Sequence, residues 1–321
     1  MKPKISIILG GAGFIGSQLI KYLLDENDKL FVIDNLCRGS KDFIKKNEKV
    51  IFEKINIDDF HEINKCIEKI NDKFEINEIW HLAANSDIPA GIEDPKIDMR
   101  DTFMTTYNLL LSIKNLKVNK ILFASSSAVY GDLGEKSISE TSAPLMPISN
   151  YGAMKLASEA ILSSYVEQND TAIIIYRFPN VVGSPATHGV IYDFIKKLLK
   201  TPEKLEVLGD GTQQKAYLHI KDLIEAMFFI KNTTNNKRLI INVGPPDKGI
   251  SVKDIALITK NLVSPEAEII YGSSNKGWVG DVPKFCYDTS LLKELGFDKV
   301  SSSKEAITIS VKEIFDQLCK R

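Results

Sequence analysis

Apolar positions cluster in short runs over the first 180 residues. The runs near 5–9, 30–34, 50–55, 78–82, 120–124 and 172–176 are dense in Ile, Val and Leu. Runs this short and continuous predict strands buried on both faces. Between them the spacing turns helical: Ile15, Leu19 and Leu23 share a face, and helices are expected near 60–70, 97–115 and 151–168. Strands alternating with helices imply crossover connections and a parallel sheet. The fold class expected is therefore α/β, a doubly wound parallel (Rossmann) sheet with a smaller mixed α/β C-terminal substrate domain.

After about residue 180 the rhythm loosens. Gly183-Ser184-Pro185 and Gly209-Asp210-Gly211 mark loops, and helices near 190–200, 220–231, 251–262 and 304–319 alternate with short strands near 205–208 and 239–243. We expect a first domain over 1–180, with part of about 213–245 returning to it, and a second over 181–321.

Composition narrows the function classes. The 321 residues are 44% hydrophobic and 26% charged, with a net charge of −1. That is a globular composition without the electrostatic footprint of a nucleic-acid or membrane-surface binder. No apolar run is long enough to span a bilayer, and the N-terminus lacks a signal-peptide pattern. Cys37, Cys66, Cys286 and Cys319 fit no zinc template, so free thiols, a cytoplasmic location and no bound metal are expected.

The first strand runs into Gly10-Gly11-Ala12-Gly13-Phe14-Ile15-Gly16 and then a helix. Glycines there permit a tight turn, and the helix N-terminus offers free N–H groups to a pyrophosphate. The spacing differs from the main dinucleotide fingerprint, and a glycine triplet alone is equally a structural turn; its place between strand and helix favours the phosphate reading. Asp34 ends the second strand, where a carboxylate can accept from both ribose hydroxyls and repel a 2′-phosphate, favouring NAD over NADP. Arg38 stands close enough to blur that preference. Asp58, after the third strand, is a candidate neighbour of the adenine.

Tyr151 and Lys155 lie one helical turn apart. A lysine there can lower the phenol's proton affinity, so that Tyr151 takes a proton from an alcohol. The spacing alone carries little, because Tyr192/Lys196 and Tyr217/Lys221 repeat it. Only Tyr151 follows a strand ending in the hydroxyl-rich turn Ser125-Ser126-Ser127, at the carboxyl end of the sheet. The other two pairs read as surface positions.

Taken with His81-Leu82-Ala83-Ala84, Ser125-Ser-Ser-Ala-Val-Tyr-Gly131, Tyr151-Gly-Ala-Met-Lys155 and Arg177-Phe-Pro-Asn-Val-Val-Gly183, the chain resembles the extended short-chain dehydrogenase/reductase family. The likeness is to its NAD-dependent nucleotide-sugar epimerases and dehydratases. It continues through Gly209-Asp-Gly-Thr-Gln213, Tyr217-Leu-His-Ile-Lys-Asp222 and Gly280-Asp-Val-Pro283, and so covers almost the whole chain.

The resemblance implies Ser126, Tyr151 and Lys155 as catalytic residues. It implies an NAD site formed by Gly10, Gly13, Phe14, Ile15, Gly16, Asp34, Asn35, Arg38, Ile57, Asp58, Leu82, Ala83, Ala84 and Ser125, with Tyr151 and Lys155. Ser126, Ser127, Asn180, Gln213, Lys215, Lys276 and Asp281 are implied to contact a nucleotide-diphosphate sugar. It also implies a homodimer, in which the helices near 97–115 and 151–168 pair with their copies in a four-helix bundle.

Family dehydratases carry a carboxyl residue just after the hydroxyl residue, where this chain has Ser127 and Ala128. Alanine cannot move a proton. The expectation is thus a 4-epimerase working by oxidation, rotation and re-reduction at sugar C4. Dehydration or net oxidoreduction is the alternative, and a non-catalytic NAD-binding scaffold the weaker one. The chain departs from the family at Leu9, where Thr is frequent, and at Thr102, where Asn is common. Lys215 and Lys276 stand where arginines often bind phosphate, keeping the charge without the bidentate fork.

Overall fold

The computed structural model describes residues 2–27, 29–134, 136–273 and 286–320. The chain divides into two compact units: Met1–Gly131 with Pro144–Arg177 and Ile230–Ile241, and Asp132–Ala143 with Phe178–Phe229 and Asn242–Arg321.

The first unit is built on β1 (Lys4–Leu9), α1 (Phe14–Glu26), β2 (Leu30–Asp34), β3 (Val50–Lys54), α2 (Phe60–Lys73) and β4 (Glu75–His81). The chain continues through α3 (Ile88–Glu93), α4 (Pro95–Asp98), α5 (Thr105–Ser112), β5 (Lys120–Ala124) and α6 (Asn150–Gln168). Its sheet has seven strands in the order Arg238–Asn242, Ala172–Arg177, β5, β4, β1, β2, β3. The pairs from β3 across to Ala172–Arg177 are all parallel. The winding reverses between β1 and β4, which is where such sheets open a ligand crevice at their carboxyl ends.

Both faces of the sheet are covered. Ile7, Ile33, Ile121 and Ile173 pack with Ile67 of α2 and Leu162 of α6. The alternate residues Ile8, Val32, Leu122 and Ile174 are equally buried. Each such side chain contributes about 1.5–3 kcal/mol on leaving water. This two-sided burial explains why the strands read as continuous apolar runs rather than as alternation.

The helix expected over 97–115 is not regular. Met99–Met104 is a π-helical stretch between α4 and α5, and α5 ends at Ser112. Within the widened turn the Thr102 hydroxyl accepts from Asn85 N–H at 3.1 Å. A π-turn accommodates one extra residue, and hydrophobic periodicity alone does not reveal it.

In the second unit, helices Val190–Lys200, Val252–Val263 and Ser303–Cys319 enclose Ile195, Leu205, Ile255 and Val311. Strands Lys204–Val207 and Glu268–Tyr271 pair in parallel, as do Asn180–Val182 and Tyr217–His219.

Candidate active site

The glycine turn sits at the reversal point of the sheet. Gly10 has φ +76°, and a Cβ there would lie 2.7 Å from Ala83 N. Its own N–H donates to Ile33 O at 2.8 Å. The turn is thus pressed between the ends of β2 and β4. Gly13 caps α1 without a side-chain bond, and Phe14, Ile15 and Gly16 form the first helical turn. The first N–H groups of a helix have no partner within it.

Asp34 closes β2 at 7% exposure. Its carboxylate accepts from Ala12 N–H at 2.9 Å and from Leu36 N–H at 2.8 Å. Burial raises its proton affinity and those two N–H groups oppose the rise. Each oxygen keeps acceptor capacity for a further donor. Beside it, Asn35, Cys37, Asn56, Asp58, Arg100 and Asp101 line a cleft of about 250 Å³. Ile57 is buried, and its carbonyl and that of Asp58 accept from the Asn108 amide at 3.1 and 2.7 Å. Arg38 is ion-paired to Asp87 at 2.5 Å. Leu82, Ala83 and Ala84 follow β4 and are half-buried.

The Gly10 cradle, which a Cβ would fill, the unpartnered N–H groups of α1 and the buried Asp34 carboxylate suit a dinucleotide. A phosphate meets only backbone N–H and the helix dipole, and a diol meets a fixed acceptor.

Helix α6 starts with Ser149, whose hydroxyl accepts from Gly152 N–H at 3.1 Å. A Cβ on Gly152 would lie 2.4 Å from Ala128 O, so the helix start rests directly on the turn Ser127–Tyr130. Ser126 caps that turn, accepting from Ala128 N–H at 3.2 Å. The Tyr151 phenol lies near enough to Ser126 for that hydroxyl to favour its ionised form. Lys155, 2% exposed, donates to Ala124 O at 2.6 Å and lies 5.9 Å from the centre of the Tyr151 ring. Ser126, Tyr151 and Lys155 therefore converge at the carboxyl end of β5.

Their electrostatics differ from the expectation. Desolvation pushes the Tyr151 phenol up to about 12, aided by the Asp98 carboxylate, while the nearby Ser126 hydroxyl works against it. Burial also takes the Lys155 ammonium down to about 7, with Glu159 opposing that fall.

In the second unit, Asn180 is exposed and in register with Tyr217. Gln213 is 7% exposed, and its amide nitrogen is buried without a hydrogen-bond partner. Lys215 pairs with Ile250 in a short antiparallel ladder. Lys276 and Asp281 lie outside the described residues. The reading of Tyr217 as a surface position is corrected: it is 7% exposed and belongs to the second core, being on a strand that feeds the next helix. Tyr192 lies on the helix Val190–Lys200, with Lys196 stacked 5.4 Å over its ring.

Sequence reasoning missed Glu159 and Arg177 as a pair. Arg177 donates to Glu159 at 2.6 and 3.0 Å, and Ser125 Oγ donates to the same carboxylate at 2.5 Å. The available signal was Glu159 continuing the four-residue spacing of Tyr151 and Lys155.

A doubly wound parallel sheet with this turn at its reversal point defines a dinucleotide-binding enzyme fold. The chain belongs to the NAD dependent epimerase/dehydratase family, whose model matches residues 6–244. NAD is the cofactor of that family.

The chain is 31% identical over 306 residues to a putative UDP-glucose 4-epimerase of Methanocaldococcus jannaschii, covering 94% of this chain and 95% of that one. It is also 31% identical over 269 residues to a dTDP-D-glucose 4,6-dehydratase of Dictyostelium discoideum, covering 78% and 60%. A crystal structure of a UDP-galactose 4-epimerase superposes with a TM-score of 0.85 at 30% identity, over 98% of this chain and 99% of that one. Among the described residues no helix is long and apolar enough to cross a membrane.

Proposed function

We propose that this chain is a nucleotide-sugar 4-epimerase acting on a UDP-hexose. One observation carries the reading. The turn after Ser126 holds Ser127, Ala128, Val129 and Tyr130, and none of these side chains is a carboxyl group. Expelling water or carbon dioxide from a keto sugar calls for an acid or base beyond the tyrosine. An epimerase needs only a proton carrier at one hydroxyl. The UDP-hexose class is supported by the UDP-glucose and UDP-galactose epimerases that the chain is similar to.

Ser126 accepts from Ala128 N–H, which leaves its own proton for Tyr151 or for a sugar oxygen. Tyr151 takes the proton of the C4 hydroxyl and later returns it. NAD, when bound, supplies the hydride acceptor and donor for C4 and a positive charge beside the phenol. Lys155 adds its own charge and is oriented by the Ala124 carbonyl. Asp34 holds the adenosine ribose, the turn Gly10–Gly16 the pyrophosphate, and Asp58 the adenine edge. Asn180, Gln213 and Lys215 hold the nucleotide diphosphate, and the unsatisfied amide nitrogen of Gln213 is a donor ready for it.

The protein pairs as a homodimer through the helical run 95–112 and α6. Met99, Tyr107 and Leu111 are exposed along that run, and Phe103 stacks on Tyr107 at 6.3 Å, forming an apolar stripe.

The test incubates the purified protein with a panel of UDP-, GDP-, CDP- and dTDP-sugars and analyses the products by mass spectrometry and NMR. A C4 epimer of unchanged mass is expected from a UDP-hexose. A dehydrated or decarboxylated product would replace this reading with the dehydratase or decarboxylase one.

A further inference from the structure

Three side chains on one face of α6 meet three consecutive residues at the end of β5. Lys155 donates to the Ala124 carbonyl, Glu159 accepts from the Ser125 hydroxyl, and Tyr151 lies near enough to Ser126 to feel its hydroxyl. Positions 151, 155 and 159 recur every four residues, so a single helix face makes all three contacts. Glu159 is almost fully buried and is gripped bidentately by Arg177, whose own side chain is 3% exposed. Arg177 in turn stacks 4.8 Å over the Tyr130 ring. The strand bearing Arg177 is tied to the same place, since Ser125 N–H donates to Tyr176 O at 2.8 Å.

We infer that Glu159, locked by Arg177, is a positioning residue that fixes the Ser125–Ser126 step and keeps Lys155 charged for proton transfer at Tyr151. This rests on the epimerase reading. A buried ion pair contributes little net stability, whereas losing one partner strands the other. The pair therefore matters chiefly for what it imposes on its neighbours. Lys155 is desolvated and leans on the Glu159 charge. The other titratable groups that face it are Tyr151 on its own helix and His81 on β4. Asp98 of α4 acts on Tyr151. His81 is held neutral by burial and by Lys155 itself, so it supplies no competing charge.

The test uses two substitutions of opposite sign. Glu159→Gln keeps the shape and an acceptor for Ser125 but removes the charge and strands Arg177. Arg177→Met strands the Glu159 charge instead. Lys155 is titrated by lysine ¹³C NMR on the NAD-loaded protein, with its signal assigned by its loss in Lys155→Met. Glu159→Gln is expected to move the midpoint down by about 1 pH unit or more, and Arg177→Met to move it up. The basic limb of the kcat profile moves the same way in each. Midpoints that stay put, or move in the same direction, overturn the inference.

Circular dichroism checks folding. Should a lone buried charge unfold the single variants, the double variant Glu159→Gln/Arg177→Met, which strands neither charge, decides. Its Lys155 midpoint is expected below that of the parent, and an unchanged midpoint overturns the inference. Ser125→Ala is expected to lower kcat about tenfold with little change in KM; an unchanged kcat refutes the anchoring role. The NMR titration needs no substrate. A wrong reaction assignment would instead appear as a parent protein that converts no UDP-hexose.

Discussion

The Tyr151 phenol is held at about 12 by its surroundings, well above neutral pH, so it needs positive charge nearby before it can act as a base. Tyr151→Phe removes the proton carrier and leaves the ring. It is expected to lower kcat by about 100- to 10,000-fold with an unchanged melting temperature, measured by NMR turnover and calorimetry. His81 makes a separate prediction. It is fully buried, its Nε2 lies 2.8 Å from Thr106 Oγ1, and burial takes its proton affinity down to about 3. Unfolded histidine titrates near 6.5. Between those values the unfolded chain binds the extra proton, so stability falls as pH drops from about 6.5 towards 3. The slope is about 1.4 kcal/mol per pH unit for this one group. Urea unfolding at pH 7 and pH 5 measures it, and a His81→Gln variant should show a flatter dependence.

At the scale of elements, the register of α6 on the turn Ser127–Tyr130 sets the site. Gly152→Ala would press a methyl group onto the Ala128 carbonyl and lift Tyr151 from Ser126. A roughly 10- to 100-fold loss of kcat is expected, larger than any change in KM, with NAD affinity by calorimetry nearly unchanged. Much at this scale was legible in the sequence. The strand runs at 30–34 and 120–124 match the observed strands, because a two-sided sheet demands uninterrupted apolar residues. The π-turn Met99–Met104 was not legible, since it depends on Thr102 meeting Asn85 from a different segment. The Glu159–Arg177 pair was hidden for the same reason: its partners lie on different elements, 18 residues apart. Likewise, a four-residue spacing says that Tyr151 and Lys155 share a face. It does not say that burial will draw Lys155 to a backbone carbonyl instead of onto the phenol.

For the whole molecule, the exposed stripe Met99, Tyr107 and Leu111 bears on assembly. Light scattering at micromolar concentration is expected to give twice the chain mass, and Tyr107→Glu/Leu111→Lys to give monomers that remain folded. A parent protein that scatters as a monomer would refute the bundle. The chemistry has its own most direct measurement. The purified protein is given a UDP-hexose carrying deuterium at C4, and the product is followed by NMR and mass spectrometry. Transient oxidation at C4 predicts the opposite epimer with the deuterium still on C4, no loss of mass and no net reduction of the cofactor. Washout of the label into solvent, loss of water, or accumulation of reduced NAD would contradict it.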